Sequence, residues 1–402
     1  MKMMTSPEDA LPCDLISPVN GELLRPAGRN LLSDGERLWP HFDNCFYLRT
    51  GRDDLVDEVV SLINRDERDR ALGLLLCDRR SPDTPEADLR QVEELLRSEV
   101  SFHDAIELLG YGGLGWYFEH RWIIPTYLSG LSLLHRHVRR NQRILELGSG
   151  VGHLTAHWEQ DSELGSVCSD VVFSHLWLSQ RYLRSGRTSL CFDANGPFPL
   201  PAGAVDVAFG HDSLHYLSDI PGAIAEMRRV ASSGTLIIGH LHNAEAENYS
   251  AGQPLTRAEY ERLVDASAVY DDSELTLAWL QQRRPRPLGA AHGRSVAALA
   301  FVEEALTGEE TARTGERIGH ACGRHPAELS GLMVNPLLSA GSPVWPSRKF
   351  VDEYVQAFPY LENLRAPGDA EVARINRGEA NEAEVREWLA NGVLVCPPDN
   401  WY

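Results

Sequence analysis

The sequence predicts an α/β protein with a doubly wound, Rossmann-like sheet of seven strands. Two observations lead to this prediction: short apolar runs alternate with helical segments, and glycine, acidic or histidine residues lie at the ends of the runs. The apolar runs are 144–147, 166–170, 188–192, 205–211 and 235–239. Helical segments lie between them, for example Phe173 to Leu183 and Gly222 to Val230. This alternation favours parallel pairing with right-handed crossovers, so a ligand is expected at the carboxyl ends of the strands.

The first apolar run ends in a glycine-rich turn. Residues 143–155 read R-I-L-E-L-G-S-G-V-G-H-L-T, in which Gly148, Gly150 and Gly152 alternate with other residues. Glycine lets the backbone turn tightly and lie against a ligand where a β-carbon would clash. The dinucleotide pattern G-x-G-x-x-G places glycine where His153 stands here. The turn therefore indicates a cofactor loop of another kind, with an ordinary strand-to-helix turn as the alternative.

The pattern E-x-G-x-G-x-G at residues 146–152 resembles motif I of the class I S-adenosylmethionine-dependent methyltransferases. Residues 198–238 are also similar to that family, with a Pro-rich loop, D-V-A-F, L-H-Y-L, E-M-R-R-V and G-T-L-I-I in order. The resemblance covers residues 143–243 and implies S-adenosylmethionine as the cofactor. It also implies that Glu146 helps to hold the aminoacyl end of that cofactor. The residues expected to pack beneath the cofactor are Gly148, Ser149, Gly150 and Gly152.

Acidic residues end the next two runs. Asp170 can accept hydrogen bonds from two neighbouring ribose hydroxyls, and its alternative role is to cap the helix that begins at Phe173. Asp193 with Ala194 closes the following run, and the family resemblance implies that an acid at this point meets the exocyclic amine of adenine. His211, at the end of the fourth run, is expected to touch the cofactor.

Four histidines follow the fourth and fifth runs: His211, His215, His240 and His242. A hydroxyl acceptor would benefit from a base that titrates near pH 7, which suits histidine. We expect His215 to be the catalytic base, and His242, a second catalytic residue, to orient the acceptor together with Asn243. The alternative for each histidine is a satisfied structural hydrogen bond, and an amine or carbanion acceptor would need no base. The sequence predicts no metal site.

The segment 111–122 is dense in glycine, aromatic and charged residues just before the first strand. In the resembled family such a segment often folds over the cofactor and forms part of the substrate wall. Tyr117, His120, Arg121 and Trp122 are therefore predicted to contact the substrate, with Arg121 able to bind a carboxylate bidentately. The alternative is a helix that packs its aromatic residues into the core.

The first fifty residues resemble the small zinc-ribbon-like domain of the tRNA methyltransferase activator family, through residues 15–23, 33–35 and 38–43. The pattern of that family is L-x-C-P-x-C-x-G-x-L, and here Ser17 and Asn20 occupy the cysteine positions. Neutral serine and asparagine cannot replace zinc thiolates. We therefore expect a β-rich module without metal, with an irregular extended arm as the alternative.

Four units are predicted along the chain. They are a degenerate zinc-ribbon-like module at 1–52, a helical segment that covers cofactor or substrate at 53–140, the S-adenosylmethionine-binding core at 141–244, and a mixed C-terminal extension at 245–402. Within the extension, 295–305 and 332–338 are expected to supply the last two strands, although the first fits a helix equally well. Residues 350–358 and 382–390 show amphipathic helical spacing. The extension is expected to form a substrate lid or a dimer surface.

Composition narrows the class of function. The 402 residues carry 58 acidic and 38 basic side chains, a formal charge of -20 that would repel a phosphate backbone, so no nucleic-acid partner is expected. The seven cysteines form no C-x-x-C pair, and neither a signal peptide nor a membrane-spanning run is present. A cytoplasmic enzyme is expected, with a homodimer as the oligomer that the chain could form.

The predicted function is methylation of a small-molecule acceptor on oxygen or nitrogen, in bacterial secondary metabolism. Within the enzyme class, the alternative is a protein or tRNA acceptor. A different class also stays open, because a cofactor-binding scaffold that no longer transfers methyl groups would keep the same loop.

Overall fold

The structure of the protein is a computed structural model. It describes residues 14–78, 87–162, 165–231, 234–247, 252–281, 283–289, 296–304, 332–341, 344–345, 348–355, 361, 368–377, 379–390, 392–395, 397–398 and 400–402.

The described part of the chain contains strands that are two to eight residues long, and most of these strands are buried. The strands are β1 Arg25–Gly28, β2 Leu31–Ser33, β3 Leu38–Phe42, β4 Cys45–Tyr47, β5 Ile144–Leu147, β6 Val167–Asp170, β7 Ser189–Cys191, β8 Val207–His211, β9 Thr235–His242, β10 Ala268–Asp271, β11 Ala298–Glu303, β12 Met333–Val334 and β13 Leu394–Val395.

The α-helices connect and cover these strands. They are α1 Asp53–Asn64, α2 Arg68–Cys77, α3 Leu89–Arg97, α4 Phe102–Leu108, α5 Gly113–Glu119, α6 Pro125–His137, α7 His153–Asp161, α8 Phe173–Tyr182, α9 Ile220–Val230, α10 Arg257–Leu263, α11 Asp272–Leu280, α12 Arg348–Phe350, α13 Asp369–Asn376 and α14 Glu382–Ala390. Short 3₁₀ turns occur at Arg121–Ile123, Leu214–Tyr216 and Pro336–Gly341, and a π turn follows α12 at Val351–Val355.

One eleven-stranded sheet organises the molecule, in the order β1-β2-β3-β4-β7-β6-β5-β8-β9-β11-β10. From β7 to β9 the neighbours are parallel, whereas β11 runs antiparallel to both β9 and β10. Strands β5, β6 and β7 follow one another from the centre of the sheet towards one edge. Strands β8 and β9, and then β11 and β10, extend from the centre towards the other edge. Helices α6 and α11 pack on one face through Leu131 and Trp279, and α9 and α10 pack on the opposite face through Met227 and Tyr260. The predicted Rossmann-like α/β fold with a seven-strand core, β5 to β11, is confirmed.

Of the last two strands of this core, one lies where it was predicted and the other does not. β11 lies inside the predicted 295–305 and is a strand rather than a helix, while Ser295 and Ala305 themselves fall outside the described residues. The other is β10, whose four residues are too few to show a period. The predicted strand at 332–338 is wrong: only Met333 and Val334 are extended, they pair with β13 outside the main sheet, and Pro336 begins a 3₁₀ turn.

The N-terminal strands β1 to β4 form an antiparallel meander that continues the central sheet. β4 pairs in parallel with β7, so that Cys45 aligns with Ser189. In the turn before β1, Ser17 donates to Asp34 Oδ2 over 2.6 Å, and the Trp39 indole donates to the same oxygen over 3.1 Å. This buried hydrogen-bond cluster organises the turn at the first of the two positions where the resembled family carries cysteine.

Beyond the sheet, α1 to α4 form a helical layer with Val59, Leu75 and Phe102 in its core. In the extension, the predicted helix at 382–390 is α14, and the predicted 350–358 begins with α12 and its π turn, while 356–358 lie outside the described residues. Across the described part of the chain, no helix combines the length and apolar character that a membrane crossing requires.

Candidate functional site

A cavity of about 930 Å³ opens at the carboxyl ends of the parallel strands. The loops after β5, β6, β7 and β8 line it, together with α5 from the helical segment. It therefore lies at the edge where the strand order reverses about β5, which is the usual ligand position in a doubly wound sheet. Its volume is at the upper end of what small-ligand sites in proteins have.

The glycine turn after β5 adopts backbone conformations that favour glycine. Gly148, Gly150 and Gly152 have φ angles of 66°, 55° and 77°. A β-carbon on Gly148 would lie 2.5 Å from Cβ of Ser213, and one on Gly150 would lie 2.7 Å from the Phe118 ring. Gly148, Ser149 and Gly150 line the cavity, whereas Gly152 is the N-cap residue of α7. The turn thus forms a bare backbone cradle of the kind that a closely held cofactor requires.

Glu146 lies below this cradle, in the middle of the sheet. Its carboxylate accepts hydrogen bonds from the backbone amide of Thr155, at 3.1 Å, and from the Thr155 hydroxyl. Burial raises the pKa of Glu146 to about 7 despite the bonds from Thr155. Glu146 is not among the described residues that line the cavity. It connects β5 to α7 and supports the loop from beneath.

Asp170, at the end of β6, lines the cavity beside Gly150. Its Oδ2 accepts from the Gly150 amide over 2.9 Å, and its Oδ1 accepts from the Val172 amide and from Nδ1 of His175. Burial opposes ionisation of this carboxyl, but the charge and hydrogen bond of His175 and the two amides outweigh it and lower the pKa of Asp170. The group is therefore a fixed anion at the cavity wall.

The loop after β7 brings Asp193 and Ala194 to the same wall. Asp193 Oδ1 accepts from the backbone amide and side-chain amide of Asn195, at 3.0 and 2.8 Å. Asn195 in turn accepts from Ser218 and from the backbone amide of Asp219. These bonds tie the loop after β7 to the loop after β8.

The structure gathers the four predicted histidines at the ends of β8 and β9. The His211 ring donates from Nε2 to the Thr126 carbonyl over 2.5 Å, and burial lowers its pKa to about 4. The His242 ring lies 4.7 Å from the His215 ring and 4.9 Å from the His240 ring, measured between centroids. Burial, helped by the neighbouring histidines, lowers the pKa of His242 to about 3, so its imidazole is neutral at pH 7. His211 and His242 line the cavity, and His215 is fully buried behind it.

Two carboxylates in this cluster were missed by the sequence analysis. Asp212 has a left-handed φ of 56°, lines the cavity and accepts from the Tyr117 hydroxyl over 3.1 Å. Asp272, at the start of α11, lies 3.0 Å from Nδ1 of His240. Burial opposes ionisation of Asp212, but His240 and His215 outweigh it and lower its pKa. Asp212 lies at the end of a parallel strand, as Asp170 does. The rule that ligands bind at the carboxyl ends of parallel strands could therefore have predicted it.

Helix α5 and the turn after it close the cavity from above. Tyr117 and Arg121 line it, and the Arg121 guanidinium lies 4.8 Å from the centre of the Tyr117 ring. His120 instead stacks on Trp116 at 4.3 Å, and burial lowers its pKa to about 4. Trp122 packs against His153, at 4.5 Å between ring centroids.

Asn243 and two residues of the C-terminal extension lie at or beside the cavity. Asn243, predicted to orient the acceptor, is buried beside the cavity and donates to the Val296 carbonyl over 3.0 Å. Phe350 and Tyr354 of the C-terminal extension do line the cavity. They pack near Trp116 of the cover. No sequence signal marked them, because their spacing fits any amphipathic helix.

Comparison with known proteins agrees with the geometry. Residues 145–238 match the family model described as "Methyltransferase domain". No curated protein sequence matches the chain. Similar solved structures include a chain from the complex of the Haloferax volcanii Trm112 methyltransferase activator with a methyltransferase, at 14% identity and a TM-score of 0.37. That similarity covers 52% of this chain and 99% of that one.

Two further solved structures show the same level of similarity. A SAM-dependent methyltransferase of Thermotoga maritima has 16% identity and a TM-score of 0.34, over 50% of this chain and 97% of its own. Geranyl diphosphate C-methyltransferase of Streptomyces coelicolor has 13% identity and a TM-score of 0.36, over 44% of this chain and 76% of its own.

The fold and the matched segment thus define a methyltransferase domain built on a Rossmann-like sheet. Residues 145–238 are thus identified as a methyltransferase domain, the class of domain for which S-adenosylmethionine is the expected cofactor. The described residues fit that cofactor: a β-carbon at Gly148 or Gly150 would collide with Ser213 or Phe118, which line the same cavity, and the Asp170 carboxylate lies beside the loop.

Proposed function

We propose that this enzyme methylates a small-molecule acceptor on oxygen or nitrogen, in bacterial secondary metabolism. The observation that carries the proposal is the shared cavity: one wall is the glycine cradle, and the other is formed by Tyr117, Arg121, Asp212 and His242. Its size suits the cofactor beside a compact acceptor better than a folded macromolecule. The formal charge of -20 also disfavours an RNA acceptor.

The cofactor half of the cavity follows the loops of β5 to β8. In our proposal Gly148, Ser149 and Gly150 lie beneath the aminoacyl end, while Glu146 and Gly152 fix the loop from below. Asp170 binds the ribose hydroxyls with the oxygen lone pairs that its three protein donors leave free. The remaining contacts assigned to the cofactor are made by Asp193, Ala194 and His211.

The acceptor half is proposed to lie between the cover and the histidine cluster. Arg121 is suited to an anionic acceptor group, because guanidinium binds carboxylate or phosphate bidentately. His242 and His215 are the proposed catalytic residues, with Asn243 holding the end of β9. Behind the lining residues, His120 and Trp122 support Tyr117 and Arg121.

When bound, the cofactor supplies an electrophilic methyl group. The protein's main contribution is then alignment, which can account for about 7–11 kcal/mol of a displacement barrier. The buried walls exclude water, and a neutral His242 can accept a hydrogen bond from an acceptor hydroxyl. The N-terminal strands, proposed as a degenerate zinc-ribbon-like module, take no direct part in this chemistry.

The test uses purified full-length enzyme and S-adenosylmethionine labelled on its methyl group. The enzyme is incubated with a bacterial extract separated into small molecules, proteins and RNA. Label is expected in the small-molecule fraction, and it should disappear when Asp170→Asn replaces the wild type. Label in RNA or protein alone would overturn the acceptor class. Cofactor binding without labelled product in any fraction would instead indicate a non-catalytic scaffold.

A further inference from the structure

The histidine cluster contains a set of metal ligands. Asp212, His215 and His242 each offer one ligand atom, and these atoms all lie within 4.8 Å of one another. Asp212 Oδ1 is 3.9 Å from Nε2 of His215. Two ligand atoms that lie 2.0–2.2 Å from a tetrahedral ion are about 3.4 Å apart. A small rotation of these side chains would therefore bring their ligand atoms to the spacing that an ion requires.

Three different elements bring these side chains together. Asp212 follows β8 in a left-handed conformation, His215 is in the 3₁₀ turn Leu214–Tyr216, and His242 ends β9. β9 also carries a bulge, because Leu299 and Phe301 of β11 pair with Leu241 and Ile238. Bulges of this kind occur next to functional sites, where they re-aim side chains.

The surroundings hold the carboxylate in a ligating orientation. The Tyr117 hydroxyl donates to Asp212 Oδ2, so that Oδ1 faces Nε2 of His215 and, at 4.0 Å, Nε2 of His240. His240 is itself fixed by Asp272. Outer hydrogen bonds of this type orient the ligands of known metal sites.

We propose that Asp212, His215 and His242 bind one divalent first-row transition-metal ion at the acceptor end of the cavity. Two imidazoles and one carboxylate are the ligand set of open sites for iron, zinc or cobalt, whereas Mg²⁺ prefers oxygen ligands alone. Asp212 and His242 line the cavity, so the remaining coordination positions face the space where an acceptor would lie.

The role of this ion rests on the proposed function, but here His215 and His242 serve as ligands of the ion and do not accept the proton of the acceptor themselves. A hydroxyl or phenol oxygen of the acceptor would bind at an open position, and its proton would leave to solvent on binding, since a coordinated oxygen becomes more acidic. The acceptor is then held as an oxygen nucleophile at neutral pH. Acceptors with a hydroxyl next to a second oxygen donor are the class that such a site favours.

The binding test does not depend on methyl transfer. Full-length enzyme, stripped with a chelator and dialysed, is titrated with Co²⁺ and separately with Zn²⁺ by calorimetry. One ion per chain is expected, with visible d–d bands for Co²⁺ and only nitrogen and oxygen ligands in X-ray absorption. His242→Ala and Asp212→Asn should each weaken binding by about a hundredfold or more, since even the loss of outer partners costs about 10–100-fold.

The matched control is His135→Ala, because Nε2 of His135 and Nε2 of His157 lie 3.0 Å apart on helices away from the cavity. This variant should bind Co²⁺ as the wild type does. Absent binding, sulfur ligands, or binding that follows His135 rather than His242 would overturn the proposal. If a variant fails to fold, the Co²⁺ absorption and X-ray absorption spectra of the wild-type enzyme still test whether nitrogen and oxygen atoms ligate the ion.

A separate measurement keeps the two proposals apart. S-adenosylmethionine affinity and methyl transfer are measured on the stripped enzyme and again after Zn²⁺ is restored. We expect unchanged cofactor affinity and transfer to a hydroxyl acceptor only with the ion. Full transfer by the stripped enzyme would overturn the metal proposal alone, whereas bound Co²⁺ in a protein that transfers no methyl group would overturn the proposed function alone.

Discussion

Single residues in uncommon backbone conformations shape the site. Gly148, Gly150 and Gly152 turn the loop after β5, while Asp212 and His240 have φ angles of 56° and 48°. Left-handed conformations cost of the order of 1–3 kcal/mol for residues other than glycine, and persist only where the surrounding structure enforces them. Asp212 and His240 have such conformations at the ends of β8 and β9, whereas Asn30, Asp43 and Asn44 have them in turns of the N-terminal strands.

Gly150→Val should abolish S-adenosylmethionine binding while the protein stays folded. The new side chain would be strained at φ 55° and would push the Phe118 ring into the cavity. Calorimetry on the purified variant should show no binding heat, with the circular dichroism spectrum unchanged.

The control for this variant is Gly186→Val. Gly186 has a φ of 77°, but nothing lies within 4 Å of the position of its β-carbon, so the substitution strains the backbone without filling the cavity. It should lower stability and leave cofactor affinity intact. Equal affinities of wild type and Gly150→Val would show that the cofactor does not lie on this loop.

Ser17→Ala should destabilise the N-terminal strands by about 1.5–3 kcal/mol at pH 7, because the buried Asp34 carboxylate loses a donor. Burial opposes ionisation of Asp34, but donors including Ser17 lower its pKa to about 2. This stabilisation is present above pH 3.8 and is lost as the pH falls towards 2. Urea unfolding at pH 7 and pH 3 measures the difference. Asn20→Ala, at the other cysteine position but exposed, should change stability by no more than about 0.5 kcal/mol.

At the scale of elements, the strands β5 to β9 were predictable because each is a short apolar run that ends in a polar or glycine turn. The helix α14 was predicted at its observed bounds, since it has amphipathic spacing and an Asn381 cap. β10 was not predictable, because four residues such as A-V-Y-D show no period. The pairing of β4 with β7 was equally hidden, since nothing local specifies a partner so far along the chain.

The site was predictable where chemistry follows strand ends. The cradle, Asp170, Asp193 and the gathering of the histidines follow from the rule that parallel strands end at one edge. The orientations of the individual side chains could not be predicted from this rule. The bulge in β9 depends on pairing with β11, and the bond from Tyr117 to Asp212 joins elements far apart in sequence.

Glu146 makes the junction of β5 and α7 sensitive to pH. Burial raises its pKa from 4.5 to about 7, so the folded state holds a proton that the unfolded state releases across this interval. Its contribution to stability therefore falls as pH rises from 4.5 to 7, by up to about 3 kcal/mol. Glu146→Gln should remove this loss and flatten the dependence, measured by urea unfolding at pH 5, 6 and 7. Glu22→Gln, at an exposed glutamate, should leave the slope unchanged.

At the scale of the whole molecule, the far C-terminal part of the chain holds the cover in place. Trp401 is buried, stacks on Phe102 at 3.7 Å between ring centroids, and donates from its indole to the Glu119 carbonyl over 3.0 Å. Glu119 ends α5, the helix that carries Tyr117 into the cavity. The extension thus contributes to the site by anchoring its roof.

Trp401→Ala should lower the free energy of unfolding by about 3–5 kcal/mol, because a large buried ring and its hydrogen bond are lost. The KM for the acceptor should also rise, since α5 loses its anchor. Thermal unfolding and steady-state kinetics measure the two effects. Tyr402→Ala, at the exposed neighbour, should shift stability by about 0.5 kcal/mol or less. Similar losses in both variants would contradict an anchoring role specific to Trp401.

The parallel pairing of β4 with β7 bears on how the protein is made. Ribosomes add about 5–20 residues per second, so β4 emerges roughly 7–30 seconds before β7, the strand that pairs with it. During that interval its edge is unpaired and offers a template for other chains. β4 therefore lacks its neighbour on this edge until the nascent polypeptide has passed Cys191, when β8 to β11 are still to be made.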